Sequence, residues 1–176
     1  MKKSVPYWQV GGFVFTAAVG TLLHFLFDWT GGSVTAALFS AVNESIWEHL
    51  KLLFYPMVVF AVAEYFAWGR EATGFWCVKL VGILIGLVLI PVVYYTYTGA
   101  LGVYADWFNI TIFFIAAAVS LWLETKLFQR GYSCSVPAWV WVGMIALLPV
   151  LFTVFTFATP QIPVFQDPLT GTFGFR

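Results

Sequence analysis

Five long apolar stretches make up most of the chain, and short breaks with polar, glycine or proline residues separate them. The stretches cover residues 8–27, 45–68, 75–97, 107–127 and 137–157. About 20 helical residues, each rising about 1.5 Å, cross a hydrocarbon core about 30 Å thick, and every stretch is long enough to do so. The pattern therefore predicts an all-α integral membrane protein, built as a bundle of five transmembrane helices.

Two shorter segments fall outside these stretches. The run at 33–42 is too brief to cross a membrane alone, so it predicts a short re-entrant or interfacial helix. Residues 158–176 contain three prolines and cannot continue the fifth helix. The chain thus divides into one transmembrane domain, 1–157, and an irregular external C-terminal tail. Because the tail is rich in apolar residues, we expect it to pack over the mouth of the bundle and to carry Asp167 towards it.

Composition excludes a water-soluble fold, since 61% of residues are hydrophobic, 9% are charged and the mean hydropathy is +0.90. The formal net charge is zero, so no basic surface for nucleic acid is expected. We expect membrane lipids and a small-molecule or lipid substrate as partners, with homo-oligomers left open. Cys77 and Cys134 have no metal-type spacing and form no disulfide framework, so the sequence assigns them no role.

Basic residues predict the orientation in the membrane. If the first helix runs from inside to outside, six of them fall on the inner side and two on the outer side. The inner set is Lys2, Lys3, Arg70, Lys79, Lys126 and Arg130, and the outer set is Lys51 and Arg176. An excess of Lys and Arg marks the cytoplasmic side. The N-terminus is therefore expected in the cytoplasm and the C-terminus outside.

Ionisable residues concentrate on the predicted outer side. The set comprises His24, Asp28, Glu44, Glu48, His49, Lys51, Asp106 and Asp167. An ionisable side chain within a span costs about 2.5–3.5 kcal/mol on insertion scales, so such residues face the bundle interior and find partners. A functional site near this membrane face is the resulting hypothesis. Glu64 and Glu124 lie near the other face and are interpreted as interfacial charges.

The spacing within this set suggests a divalent metal. His24 and Asp28 are four residues apart and share a helix face, and so do Glu44 and Glu48. We predict His24, Asp28 and Glu48 as ligands of a divalent metal, with zinc preferred to manganese because imidazole and carboxylate suit it.

The remaining residues of the set receive catalytic roles under this hypothesis. Glu44 or His49 would be the general acid or base, and Lys51 would steady a charged substrate group. On a regular helix Glu44 and His49 lie about 140° apart, so both would not bind the same ion. Asn43, just before Glu44, is predicted to cap the second span.

The alternative is a purely structural network. In it Glu48 pairs with Lys51, Glu44 accepts backbone N–H groups at the helix start, and Asp28 caps the loop. Structural ion pairs and active sites perturb the same residue types, so the sequence leaves both open.

The run Asn-Glu-Ser-Ile-Trp-Glu-His-Leu-Lys at 43–51 and the run Pro-Val-Phe-Gln-Asp-Pro-Leu-Thr-Gly at 163–171 resemble a family of small, uncharacterised bacterial membrane proteins, typical of clostridia. The resemblance implies a multi-pass protein of the bacterial cytoplasmic membrane and no activity. The run at 24–30 is similar to a His-x-x-x-Asp-x-x-Thr pattern of membrane-bound metal-dependent hydrolases.

Three functional classes follow. The first is a membrane-embedded, metal-dependent hydrolase acting on a lipid or lipid-linked substrate, because a bound metal lowers the pKa of water towards 7. The second is a proton- or cation-coupled transporter or channel, which could be homodimeric, since histidine suits proton coupling. The third is a non-catalytic membrane protein that binds a partner.

Overall fold

The computed structural model describes residues 4–175, and these form six α-helices with no strands longer than an isolated bridge. The helices are α1 Val5–Trp29, α2 Val34–Ala37, α3 Ile46–Ala67, α4 Phe75–Leu101, α5 Asp106–Arg130 and α6 Ala138–Phe157. All except α2 are long and apolar enough to cross a membrane. The prediction of an all-α chain with five helices of spanning length is confirmed.

The five long helices pack as one bundle. α4 lies along α5, α1 packs against α3 and α5, and α6 packs against α3 and α4. The centre is apolar, with Leu53, Phe54, Ile83, Ala116 and Ala117 fully buried. α3 and α4 are the most buried of the long helices, and α1 and α6 are the least buried. An apolar exterior of this kind is suited to lipid contact.

The two ends of the bundle are chemically different. At one end, Cys77 of α4 and Cys134 of the α5–α6 loop form a disulfide. We call this the disulfide end, and the opposite one, where the C-terminal tail lies, the tail end. The expectation that these cysteines form no disulfide framework and have no role is therefore wrong. They are 57 residues apart, and only the docking of α4 beside the end of α5 brings them together.

The segment between α1 and α3 folds against both of these helices. Its helical part is one turn, α2, shorter than the run predicted at 33–42. The Ser40 hydroxyl donates to the Leu23 carbonyl at 2.5 Å, and the Tyr55 hydroxyl donates to the Leu38 carbonyl at 2.8 Å. These bonds hold the segment at the tail end.

The tail also packs at this end, as predicted. The Phe165 ring lies 4.9 Å from the Trp47 ring, and the Phe175 N–H donates to the Thr156 carbonyl at 2.9 Å. The expected role of Asp167 is not found. Its carboxylate accepts the N–H groups of Leu169 and of the next residue, so it closes its own turn.

Candidate metal centre

A cavity of about 400 Å³ opens at the tail end among α1, α3, α4 and α5. Most of its wall is aliphatic or aromatic, and Leu169 of the tail reaches its edge. Its polar side chains are Thr21, His24, Glu44, His49, Tyr94, Tyr104, Asp106 and Asn109. An apolar pocket with a few convergent polar groups is the usual form of a small-molecule site.

Three of these polar side chains converge on one wall. His24, Glu44 and His49 each offer one ligand atom, and these atoms lie within 4.8 Å of one another. His49 Nε2 is 3.4 Å from Glu44 Oε2, and the two imidazole rings have centroids 5.3 Å apart. Two imidazoles and one carboxylate form a ligand set that zinc uses in catalytic sites, where the fourth position is left for water or substrate.

A turn before α3 brings Glu44 to His49. The helix begins only at Ile46, and Ser45 is its N-cap in an extended conformation, with its hydroxyl accepting the Glu48 N–H at 3.4 Å. The 140° separation expected on a regular helix therefore does not apply. Asn43 is not the cap as predicted; its side chain accepts the Ser45 N–H and donates to the tail at Gly174.

Hydrogen bonding prepares the ring of His49 for a cation. Its Nδ1 lies 2.9 Å from the Ser45 carbonyl, which can only accept, so Nδ1 carries a proton. In the neutral ring Nε2 then directs a lone pair towards Glu44, and either a proton or a metal must lie between them. Metal-bound histidines commonly use such a backbone partner on the other nitrogen.

His24 and Glu44 can also bind a metal ion. Nδ1 of His24 is buried and has no hydrogen-bond partner among the described residues. Hydrogen bonding from His49 lowers the pKa of the Glu44 carboxyl, although its partial burial opposes this. Glu44 is therefore an anion at neutral pH, as a metal ligand must be.

Glu48 and Lys51 lie apart from this centre. Glu48 Oε2 accepts from Lys51 Nζ at 2.6 Å, and its Oε1 accepts from the Thr156 hydroxyl at 2.7 Å. Lys51 Nζ also donates to the carbonyls of Ala37 and Ser40 at 2.8 and 3.2 Å. Both side chains are buried, and the ion pair joins α3, α6 and the α2 segment. The alternative of a purely structural network predicted this pairing of Glu48 with Lys51.

The remaining predicted ligand, Asp28, is exposed at the end of α1 and does not belong to the group of three. Asp106, to which the sequence assigned no role, lines the cavity together with Tyr104 and Asn109. Burial, and then the neighbouring Asp106, raise the pKa of Tyr104. Sequence spacing could not find these residues, because they reach the cavity from the α4–α5 turn and the first turn of α5.

A second polar group lies at the disulfide end. Lys79 Nζ donates to Glu124 Oε2 at 2.5 Å and contacts Glu64 Oε2, while Gln9 Nε2 donates to Glu64 Oε1 at 3.0 Å. The interpretation of Glu64 and Glu124 as interfacial charges is wrong, because both are fully buried. The order of charged residues along the chain did not predict this pairing, because it forms only when three helices dock.

Comparison with known proteins finds a family described as "Family of unknown function (DUF6512)", which matches residues 1–175. No curated protein and no solved structure matches the chain.

Proposed function

Because the chain belongs to this family of unknown function, we propose its function from the geometry of the site alone. The protein is a multi-pass membrane enzyme that binds a divalent transition metal, zinc in preference to manganese, at the tail end. His24, Glu44 and His49 are the ligands. The reaction is hydrolysis of a lipid or lipid-linked substrate that enters the adjoining cavity.

The convergence of two imidazoles and one carboxylate within 4.8 Å carries this proposal. The proton on His49 Nδ1 and the unpartnered Nδ1 of His24 support it, because both rings keep a nitrogen for the ion. The metal supplies a bound water with a pKa lowered towards 7. With Glu44 and His49 assigned as ligands, Asp106 takes the general acid or base role that the sequence gave to those two residues.

The cavity indicates the class of substrate. Its apolar wall includes Phe25, Ile110 and Phe113, whereas Tyr104 and Asp106 place polar groups beside the same space. A molecule with an acyl chain and a polar head matches both parts. The scissile bond would lie near the head, within reach of the three proposed ligands.

Orientation in a bacterial cytoplasmic membrane belongs to the same proposal. Of the five described basic residues, four lie towards the disulfide end and only Lys51 lies towards the tail end, which supports a cytoplasmic position for the disulfide end. The four are Arg70, Lys79, Lys126 and Arg130. Lys2, Lys3 and Arg176 lie outside the described residues. The disulfide favours the opposite orientation, since disulfides persist in oxidising compartments. We give the basic residues more weight, because four of the five described ones lie towards the disulfide end.

The hydrolase proposal is tested with protein in lipid nanodiscs, stripped by chelator and reloaded with zinc. Mass spectrometry of the lipids should detect hydrolysis products only after reloading. Glu44→Gln should reduce the rate by more than the roughly 100-fold that loss of an outer-shell partner costs. Asp28→Asn is the matched control and should retain the rate. Equal rates in stripped and reloaded protein would contradict the proposal.

Proton- or cation-coupled transport is the second candidate. The buried group of Glu64, Lys79 and Glu124 favours it, since ionisable residues inside a bundle commonly lie on ion pathways. A transporter would acidify or alkalinise proteoliposomes in response to an ion gradient. A hydrolase without coupling would leave their internal pH unchanged.

A further inference from the structure

The polar group at the disulfide end has unbalanced charge. Glu64, Lys79 and Glu124 come from three different helices, and each side chain is at most 2% exposed. With both carboxylates ionised the group would carry one uncompensated negative charge. A buried charge without a partner is strongly unfavourable and is usually neutralised by a proton or a counter-ion.

No second cation compensates this charge within residues 4–175. Around the carboxylates α1 contributes Gln9, α3 and α4 contribute Glu64 and Lys79, and α5 contributes Glu124. The nearby basic side chains face aromatic rings, with Arg70 lying 4.6 Å from the Phe66 ring centre and Lys126 lying 5.9 Å from the Trp122 ring centre. Neither makes an ion pair with Glu64 or Glu124.

One carboxylate oxygen of the four differs from the others. Glu64 Oε1 accepts from Gln9, and Lys79 Nζ contacts one oxygen of each carboxylate. Glu64 Oε2 and Glu124 Oε1 both lack a hydrogen-bond partner, but Glu64 Oε2 contacts Lys79 Nζ, whereas Glu124 Oε1 has no ion-pair contact among the described residues. It packs so closely against Gly82 that even a Cβ atom there would collide with it. Neither a metal ion nor a water molecule fits on that side, whereas a proton needs no additional space.

We propose that this group is a proton-binding site in which Glu124 is held as a neutral carboxylic acid beside the Lys79–Glu64 ion pair. The site joins α1, α3, α4 and α5, so release of the proton would place repelling charge between four of the five long helices. The inference is independent of the proposed metal centre and stands whether or not the protein is a hydrolase. It would supply the proton site that the transport alternative requires.

Infrared spectroscopy of the purified protein at neutral pH tests whether this group holds one proton. A protonated carboxylic acid has a C=O stretch that an ionised carboxylate lacks. Wild type should show one such group per chain, and Glu124→Gln should show none. Glu64→Gln should also show none, because Lys79 alone then balances Glu124. Lys79→Met should show two.

Glu44→Gln is the matched control, since Glu44 is ionised and belongs to the other end of the bundle; it should leave the band unchanged. A folded wild type without the band would overturn the proposal. A band that persists in both Glu124→Gln and Glu64→Gln would also overturn it.

Thermal unfolding at increasing pH provides a second measurement. The folded protein holds this proton more tightly than the unfolded chain, so the stabilisation is present at low pH and is lost as pH rises. Wild type should therefore lose stability as pH rises above about 4.3, the pKa of an ordinary glutamate in the unfolded chain, and Glu64→Gln should lose much less. Parallel pH profiles for the two proteins would contradict the inference.

Discussion

At the scale of single residues, protonation decides whether His24, Glu44 and His49 can hold a metal. The backbone carbonyl of Ser45 fixes the proton of His49 on Nδ1, and the lowered pKa of Glu44 keeps that carboxyl ionised. Only the two imidazoles then compete for protons near neutrality. This competition makes metal binding sensitive to pH.

Zinc affinity should therefore decrease as pH falls, because protons then compete with the metal for the two imidazoles. Titration against a chromophoric chelator measures it. His24→Ala should weaken binding at every pH, because the site loses one of three ligands. Asp28→Asn should bind zinc as the wild type does. Affinity that is independent of pH would argue against imidazole ligands.

The same residues show where sequence reasoning succeeds and where it stops. The cost of ionisable residues in apolar stretches singled out a polar set that contains all three residues. Within it, spacing predicted His24, Asp28 and Glu48 as ligands, so it found only His24 of the three and gave Glu44 and His49 catalytic roles. It could not separate them from Glu48, since the turn at Ser45 and the bond from Thr156 to Glu48 depend on tertiary structure. Thr156 is 108 positions from Glu48 along the chain, so no local sequence pattern around Glu48 could have predicted this bond.

At the scale of elements, apolar length was sufficient to find all five long helices, and Gly74, Gly102 and Gly131 end or begin helices with positive φ as expected of glycine. Contacts between helices were not predictable. Glu64 and Lys79 pair only because α3 and α4 dock side by side. Helix docking depends on side-chain shape over the whole interface, which periodicity does not encode.

The tail provides a prediction at this scale. Phe165 is 6% exposed and packs on Trp47 and Phe155, so Phe165→Ala should destabilise the protein by about 3 kcal/mol, as for other buried phenylalanines. Ile162→Ala, at a position that is 52% exposed, is the control and should have little effect. Thermal unfolding in detergent measures both.

Truncation after Thr159 extends the test from one ring to the whole tail. The shortened protein should still insert into membranes, because all five long helices remain. It should be less stable and should lose binding or activity at the cavity, whose edge includes Leu169. A truncated protein of unchanged stability and activity would show that the tail has no part in the site.

At the scale of the whole molecule, orientation determines which compartment the cavity faces. Basic residues and the disulfide favour opposite answers, so accessibility must decide. With Cys77 and Cys134 replaced by Ser, a single cysteine can be placed at exposed Ser135 in the disulfide end or at exposed Gln161 in the tail.

A membrane-impermeant maleimide should label Gln161→Cys in intact cells. It should label Ser135→Cys only after the membrane is permeabilised. The reverse pattern would place the cavity on the cytoplasmic side and the disulfide outside.

Locating the bound metal is the most direct test of the proposed metal centre. Crystals of the wild-type protein grown with zinc would be recorded on both sides of the zinc absorption edge. We predict one anomalous peak per chain, about 2.0–2.2 Å from a nitrogen of His24, a nitrogen of His49 and an oxygen of Glu44. No peak at this position, or a peak bound instead by Asp28 or Glu48, would contradict the proposed centre.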